Sequence, residues 1–264
     1  MGRPDRAGPT GLARPGGPDW ALRCWPGLAW PRRAATRLVG VLVVGFDTAT
    51  PAVSVALHDG QRVVAEAFAA DGRRHGELLA PMIAQVLADA GASRADLTAV
   101  AVGVGPGPYT GLRVGVVTAR VLGAVLGIPV PGVCSLDVIA AATPSPGREF
   151  LVATDARRRE VYWARYDEAG RRVQGPLVGS AGSIPGAAGL VVAGGGGRLY
   201  PEAFGEVTGP AYPDARTLCD IVAGRLGGDG AASYPPVPLL AAEPLYLRRP
   251  DAREPGPPKR VTPS

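Results

Sequence analysis

Two stretches of this 264-residue chain open in the same way, and that repetition constrains the fold more than any other feature. Val41 to Phe46 reads as a buried strand, Asp47 to Ala52 as a polar turn and Val53 to Leu57 as a second strand; His58, Asp59 and Gly60 then turn the chain into Arg62 to Phe68. After the Pro-rich stretch 143–148 the pattern returns, with a strand over Phe150 to Thr154, a polar turn at Asp155 to Arg159 and an alternating strand over Val161 to Tyr166. Behind the first set, Leu78, Leu79, Met82, Ile83, Val86, Leu87 and Ala90 line the broad apolar face of a helix closed by Gly91. Pro81 requires that helix to begin within the turn before it. Leu97 to Val104 is apolar enough for a strand covered on both faces, Leu112 to Leu126 is a helix ending at Gly127, Ile128 to Val133 is a short strand, and Ser135 to Ala142 is helix-like. Hairpin strands followed by alternating helices and strands predict an α/β protein of two lobes, each a mixed sheet flanked by helices.

The order within each lobe is that of a ribonuclease-H-like unit. The predicted division is a Pro-, Gly- and Arg-rich extension over 1–40, a first lobe over 41–145, a second over 146–249 and a tail over 250–264. The extension lacks any sustained period of 2 or 3.6, so it is expected to be disordered, with the native start near Val41. It also holds seven arginines against Asp5 and Asp19, which accounts for the whole net charge of +5. The tail from Arg248 is basic too, so residues 41–247 carry a net negative charge, which argues against a phosphate-binding groove of their own. Cys24, Cys134 and Cys219 form no C-x-x-C pair and suit a reducing cytoplasm. No apolar run is expected to reach the roughly 18 residues of a membrane span.

Few residues offer catalytic chemistry. His58 and His75 are the only histidines, they lack H-E-x-x-H spacing, and neither has a cysteine nearby, so no metal site is expected. Asp47, Thr48 and Thr50 sit in a turn between strands, where a carboxylate and hydroxyls can approach a phosphate and its metal, or simply satisfy backbone groups. Gly105 and Gly107 precede a helix N-terminus, a ready anion site, although neither G-x-G-x-x-G nor the Walker pattern is present. Gly195 to Gly197 admit a close backbone approach or an ordinary turn.

Six segments in fixed order carry a resemblance: FDTATPAVSVAL over 46–57, HGELLAPMI over 75–83, GVGPGPYTGLR over 103–113, Asp155-Ala-Arg157, Glu160-Val-Tyr162 and PLYLR over 244–248. Together they resemble the TsaB family across about Val41 to Arg249. The resemblance implies an actin-like ATPase superfamily fold and a role in tRNA threonylcarbamoyladenosine modification. There a non-catalytic subunit binds and activates a TsaD-like transferase, with a TsaE-like ATPase assisting and tRNA engaged only through the complex. The helix bearing His75, Leu78, Leu79, Met82, Ile83 and Val86 looks like the partner-binding surface, and the same helix leaves open a homodimer of the isolated chain. In catalytic relatives a histidine pair holds the metal where this chain has Ser135 and Ile139, so no catalytic residue is expected. No cofactor is required by this chain, although ATP or ADP at the subunit boundary fits the resemblance. The competing reading is an ATP-dependent small-molecule kinase of the same superfamily, with Asp47 orienting magnesium and Asp155 acting as base.

Overall fold

The computed structural model describes residues 40–72, 74–227 and 234–248; the predicted extension before Gly40 and the tail after Arg248 lie outside them. The first lobe opens with β1 (Val43–Asp47), β2 (Val53–His58) and β3 (Val63–Ala69), and continues through α1 (His75–Asp89), β4 (Ala99–Gly103), α2 (Tyr109–Leu126), β5 (Gly132–Val133) and α3 (Ser135–Ala141). The second runs through β6 (Phe150–Asp155), β7 (Glu160–Tyr166), β8 (Arg172–Ser180), β9 (Val191–Ala193), α4 (Gly195–Leu199) and β10 (Glu206–Thr208), before α5 (Ala215–Arg225). The sheets are ordered β3-β2-β1-β4-β5 and β10-β9-β6-β7-β8. In each, the central strand pairs antiparallel with a hairpin strand on one side and parallel with a crossover strand on the other. The recurrent opening of the sequence is therefore a recurrent topology, with two mixed sheets of the same strand arrangement.

Every residue of β1 and β4 is buried because both faces of the first sheet are covered. Val44, Phe46, Val55 and Leu57 point to one side, where α1 lies on β2 and β3 and α2 on β4. Val43, Ala56, Ala99 and Ala101 point to the other, against Leu218, Cys219 and Val222 of α5. Small residues let that helix approach closely: a Cβ on Gly45 would overlap the Cys219 thiol. Asp214 caps α5 by accepting from the Arg216 amide at 3.0 Å, and the Ala215 amide donates to Ser54 Oγ across the sheet at 2.9 Å.

The division at residue 145 therefore needs correction, because α5 and the segment 234–248 return to the first lobe. Leu240 bridges to Gly132, and the Leu245 amide donates to the Val104 carbonyl. Two local expectations also change. Helix α1 starts six residues before Pro81, which is tolerated because Pro81 is exposed and the Glu77 carbonyl it leaves unpaired belongs to an exposed residue. Gly195 to Gly197 begin α4, and a Cβ on Gly196 would meet the Ala153 backbone at 2.9 Å, so these glycines serve helix-on-strand packing. The α2 segment, 18 residues long, does reach the length and apolarity of a membrane span, contrary to expectation. Its Leu112, Val116 and Ala119 face packs in the lobe core, and Arg113 and Arg120 interrupt it.

Candidate functional site

Helix α1 has to cover the antiparallel half of the first sheet, and its apolar face is used for that. Leu79, Met82, Ile83 and Val86 are all buried among Val44, Phe46 and Val55, while His75 and Leu78 are half-buried. Four of the six residues expected to form a partner surface, Leu79, Met82, Ile83 and Val86, are instead the inner face of the lobe, while Leu78 packs at its edge and His75 faces the Thr50 carbonyl. The outer face of α1 is small, with Ala80, Ala84 and Ala88 exposed. Of the two helices it is α2 that exposes large apolar side chains, with Val117, Val121 and Val125 55%, 55% and 76% exposed at intervals of four residues. Both faces of α2 are apolar, so periodicity alone cannot orient it. Gly111, Gly115 and Gly123 mark the close-packed side, and that signal was available in the sequence.

The predicted nucleotide residues do come together, but they hold one another. The Asp47 carboxylate is buried and accepts from the Ala49 amide at 2.7 Å through Oδ1 and from Ser135 Oγ at 2.6 Å through Oδ2. Ser135 Oγ in turn accepts from the Gly105 amide at 3.1 Å, and Thr48 Oγ1 donates to the Gly111 carbonyl at 2.8 Å. The Thr50 carbonyl lies 2.7 Å from His75 Nε2. Gly107 is pressed so closely against the turn that a Cβ would overlap the Ala49 carbonyl. Burial pushes the Asp47 carboxyl above its ordinary range, and the Ser135 hydrogen bond opposes this. The space left open is a cavity of about 240 Å³ in front of this interlock, lined by Thr48, Thr50, His75, Thr110 and Arg157 among others.

Helix α3 carries Ser135 and Ile139, the two positions where the resemblance implies a histidine pair in catalytic relatives. Ser135 is committed to Asp47, and Ile139 packs with Leu136 against Phe150, Val152 and Tyr166 of the second lobe. Among the described residues no three His, Cys, Asp or Glu side chains converge as a metal site would require. His58 is held elsewhere, with Nδ1 accepting from the Gly60 amide at 2.9 Å and Nε2 facing Asp220 at 3.0 Å. Asp155 accepts from the Arg157 amide at 2.8 Å in the β6–β7 turn.

A buried cluster that sequence reasoning missed joins the lobes. Tyr166 donates to Asp137 Oδ1 at 2.8 Å, Arg172 Nε lies 3.3 Å from the same oxygen, and Asp137 Oδ2 is buried without a hydrogen-bond partner among the described residues. Nothing in the local sequence marks Asp137, because its partners lie in another lobe. Burial raises its carboxyl above the ordinary range, opposed by Arg172 and Tyr166, and the neighbouring Cys134 thiol is pushed up to about 12. A carboxyl raised in the folded state favours folding below its unfolded value, and that contribution is lost as pH rises through the folded value. Asp137→Asn is therefore expected to gain stability relative to the parent protein as pH rises from 4 to 7. Urea unfolding at several pH values checks this, and a stability difference that does not change with pH would contradict it.

At the mouth of the cleft between the lobes, Tyr109 of α2 stacks on Tyr246 with ring centroids 5.1 Å apart. Arg113 lies 4.0 Å over the Tyr109 ring, and its Nε donates to Tyr246 Oη at 3.4 Å. Two residues on, Arg248 donates to the Ala156 carbonyl at 3.0 Å and pairs with Glu160, tying this segment to the β6–β7 turn.

The comparisons with known proteins agree with this architecture. The TsaD family model, described as tRNA N6-adenosine threonylcarbamoyltransferase, matches residues 63–187. An uncharacterized protein of Mycobacterium tuberculosis (strain H37Rv) is 45% identical over 214 residues, covering 80% of this chain and 93% of that protein. The tRNA threonylcarbamoyladenosine biosynthesis protein TsaB of Escherichia coli K12 is 39% identical over 132 residues, 48% of this chain and 57% of that protein, so the match spans little more than half of the TsaB chain. YeaZ from Pseudomonas aeruginosa superposes with a TM-score of 0.63 at 29% identity, covering 78% of this chain and all of that one. The chain thus belongs to one family with the uncharacterized mycobacterial protein, and over little more than half of their length it is similar to the TsaB proteins, in keeping with its two-lobed fold and the superposition on YeaZ.

Proposed function

We propose that this chain serves tRNA threonylcarbamoyladenosine biosynthesis as a non-catalytic subunit that docks on a TsaD-like transferase and orders it. The observation that carries this reading is the valine row Val117, Val121 and Val125, exposed beside the small outer face of α1. A two-helix surface of this kind suits a partner built on the same lobe architecture, and a TsaD model matches part of this chain. Burying each valine contributes about 1.5 kcal/mol or more. The same face, left uncovered, pairs two copies of the chain.

Support for a non-catalytic role comes from the interlock in front of α3. Asp47, the residue expected to orient a metal-bound nucleotide, spends its carboxylate on Ser135 and Ala49. The chain accordingly requires no cofactor of its own, and a nucleotide at the subunit boundary would belong to the complex. A TsaE-like ATPase and tRNA act through that complex, in the cytoplasm. Deleting the gene is expected to remove threonylcarbamoyladenosine from bulk tRNA, as read by nucleoside chromatography and mass spectrometry. Unchanged modification in the deletion strain would overturn the proposal.

A further inference from the structure

We propose that the mouth of the interlobe cleft is an RNA-contacting surface that holds the tRNA of the complex by its phosphates and one unstacked base; this rests on the function proposed above. Three neighbouring features carry it. The β6–β7 turn presents Arg157, Arg158 and Arg159, all exposed and all left-handed, with φ of 62°, 54° and 63°. Three successive non-glycine residues in that region are strained, and a turn whose only task was to reverse the chain would be better served by glycine or asparagine. The conformation sets three guanidiniums on one hairpin tip. Arg157 also lines the cavity in front of the Asp47 turn, together with Thr48, Thr50, His75 and Thr110, which places the tip beside the start of α2.

The second feature is the tyrosine pair. Tyr109 and Tyr246 are 39% and 40% exposed, so their rings offer a stacking surface, and Arg113 lies against both. An aromatic platform flanked by guanidiniums is the chemistry that grips single-stranded nucleic acid, because every base has a π-face and every nucleotide a phosphate. The third feature is charge. Residues 41–247 are net negative, yet Arg113, Arg157, Arg158, Arg159 and Arg248 lie along this surface, where Arg157 pairs with Asp155 and Arg248 with Glu160. Arg248 links the two halves of the surface through the Ala156 carbonyl and Glu160. The platform sits at the start of α2, whose later turns bear Val117, Val121 and Val125, so an RNA held here would lie next to the docked transferase.

The test uses the full chain with the TsaD-like protein of the same genome and a fluorescein-labelled tRNA transcript that lacks threonylcarbamoyladenosine. Anisotropy titrations are run at 50, 100 and 200 mM KCl. Replacing Arg157, Arg158 and Arg159 together by glycine removes the charges and relieves the strain, so the melting temperature should hold or rise. Affinity should fall at least tenfold at 100 mM salt, and the slope of log K against log salt should flatten by about 0.7 to 0.9 for each phosphate that is no longer neutralised. Tyr246→Ala should weaken binding about fivefold or more, with a nearly unchanged salt slope. Size-exclusion chromatography of the same samples separates the two ways of failing. An intact heterodimer whose variants bind tRNA like the parent overturns this surface. Failure of the parent chain to form a heterodimer overturns the function on which it rests. Variants that lose affinity for ADP while keeping the parent's tRNA affinity would make the cleft mouth a mononucleotide site and also overturn the proposal.

Discussion

Val121→Glu combined with Val125→Glu is expected to abolish association with the TsaD-like partner while leaving the folded chain intact. Both side chains are more than half exposed, so in the free protein a carboxylate at either position stays in water and adds little to the energy of the fold. In the complex each would sit in an apolar seam without a counter-charge. Losing two buried valines and burying two unpaired carboxylates together cost on the order of 5 kcal/mol or more, which corresponds to a loss of at least about a thousandfold in affinity. The matched control is Leu79→Glu with Ile83→Glu, because both residues face Val44 and Phe46 across the lobe core. That pair should unfold the first lobe. Calorimetry of binding and circular dichroism of the free chains read the contrast. Normal binding by the valine variants would move the docking surface elsewhere.

The contrast between these pairs also locates what the sequence could say. The elements of the first lobe and the β6–β7 hairpin were legible because each has a dominant period and a clear stop, such as Gly127 after α2, whose φ is 67°, whereas β8, α4, β10 and α5 gave no such signal. Which side of a helix faces out was not legible where both sides are apolar. Leu79 and Ile83 on α1 and Val117 and Val121 on α2 are the same residue class at the same spacing, and only the sheet beneath α1 decides between them. The return of α5 to the first lobe was equally hidden, since nothing near Ala215 names Ser54 or Gly45 as its neighbours. The Asp47 turn was found by its residue types. Its use was not, because the same carboxylate that can face a phosphate can face a serine hydroxyl, and Ser135 lies 88 positions away. Asp137, Tyr166 and Arg172 carried no local signal at all, and only the closing of the two lobes brings them together.

Gly107→Ala is the sharpest probe of that interlock. The turn at Asp47 to Thr50 and the loop over 103–111 are pressed together with no room for a methyl group at Gly107, and the obstacle is the Ala49 backbone rather than a side chain able to swing aside. One added carbon must therefore displace a loop whose hydrogen bonds reach Thr48 and Ser135, and through Ser135 the Asp47 carboxylate. The expected cost is about 3 kcal/mol, a fall in melting temperature of roughly 6–12 °C for a chain of this size. Gly76→Ala supplies the opposite sign, because nothing lies within 4 Å of a Cβ there and the residue is in the first turn of α1. Alanine in a helix is better than glycine by about 0.5–1 kcal/mol, so that variant should melt higher. If the loop over 103–111 were a nucleotide loop held open for a ligand, Gly107→Ala would leave the free protein's stability nearly unchanged and weaken nucleotide binding instead. Thermal unfolding of the two variants without nucleotide, followed by calorimetry with ADP, decides between packing and binding as the reason for glycine at that position.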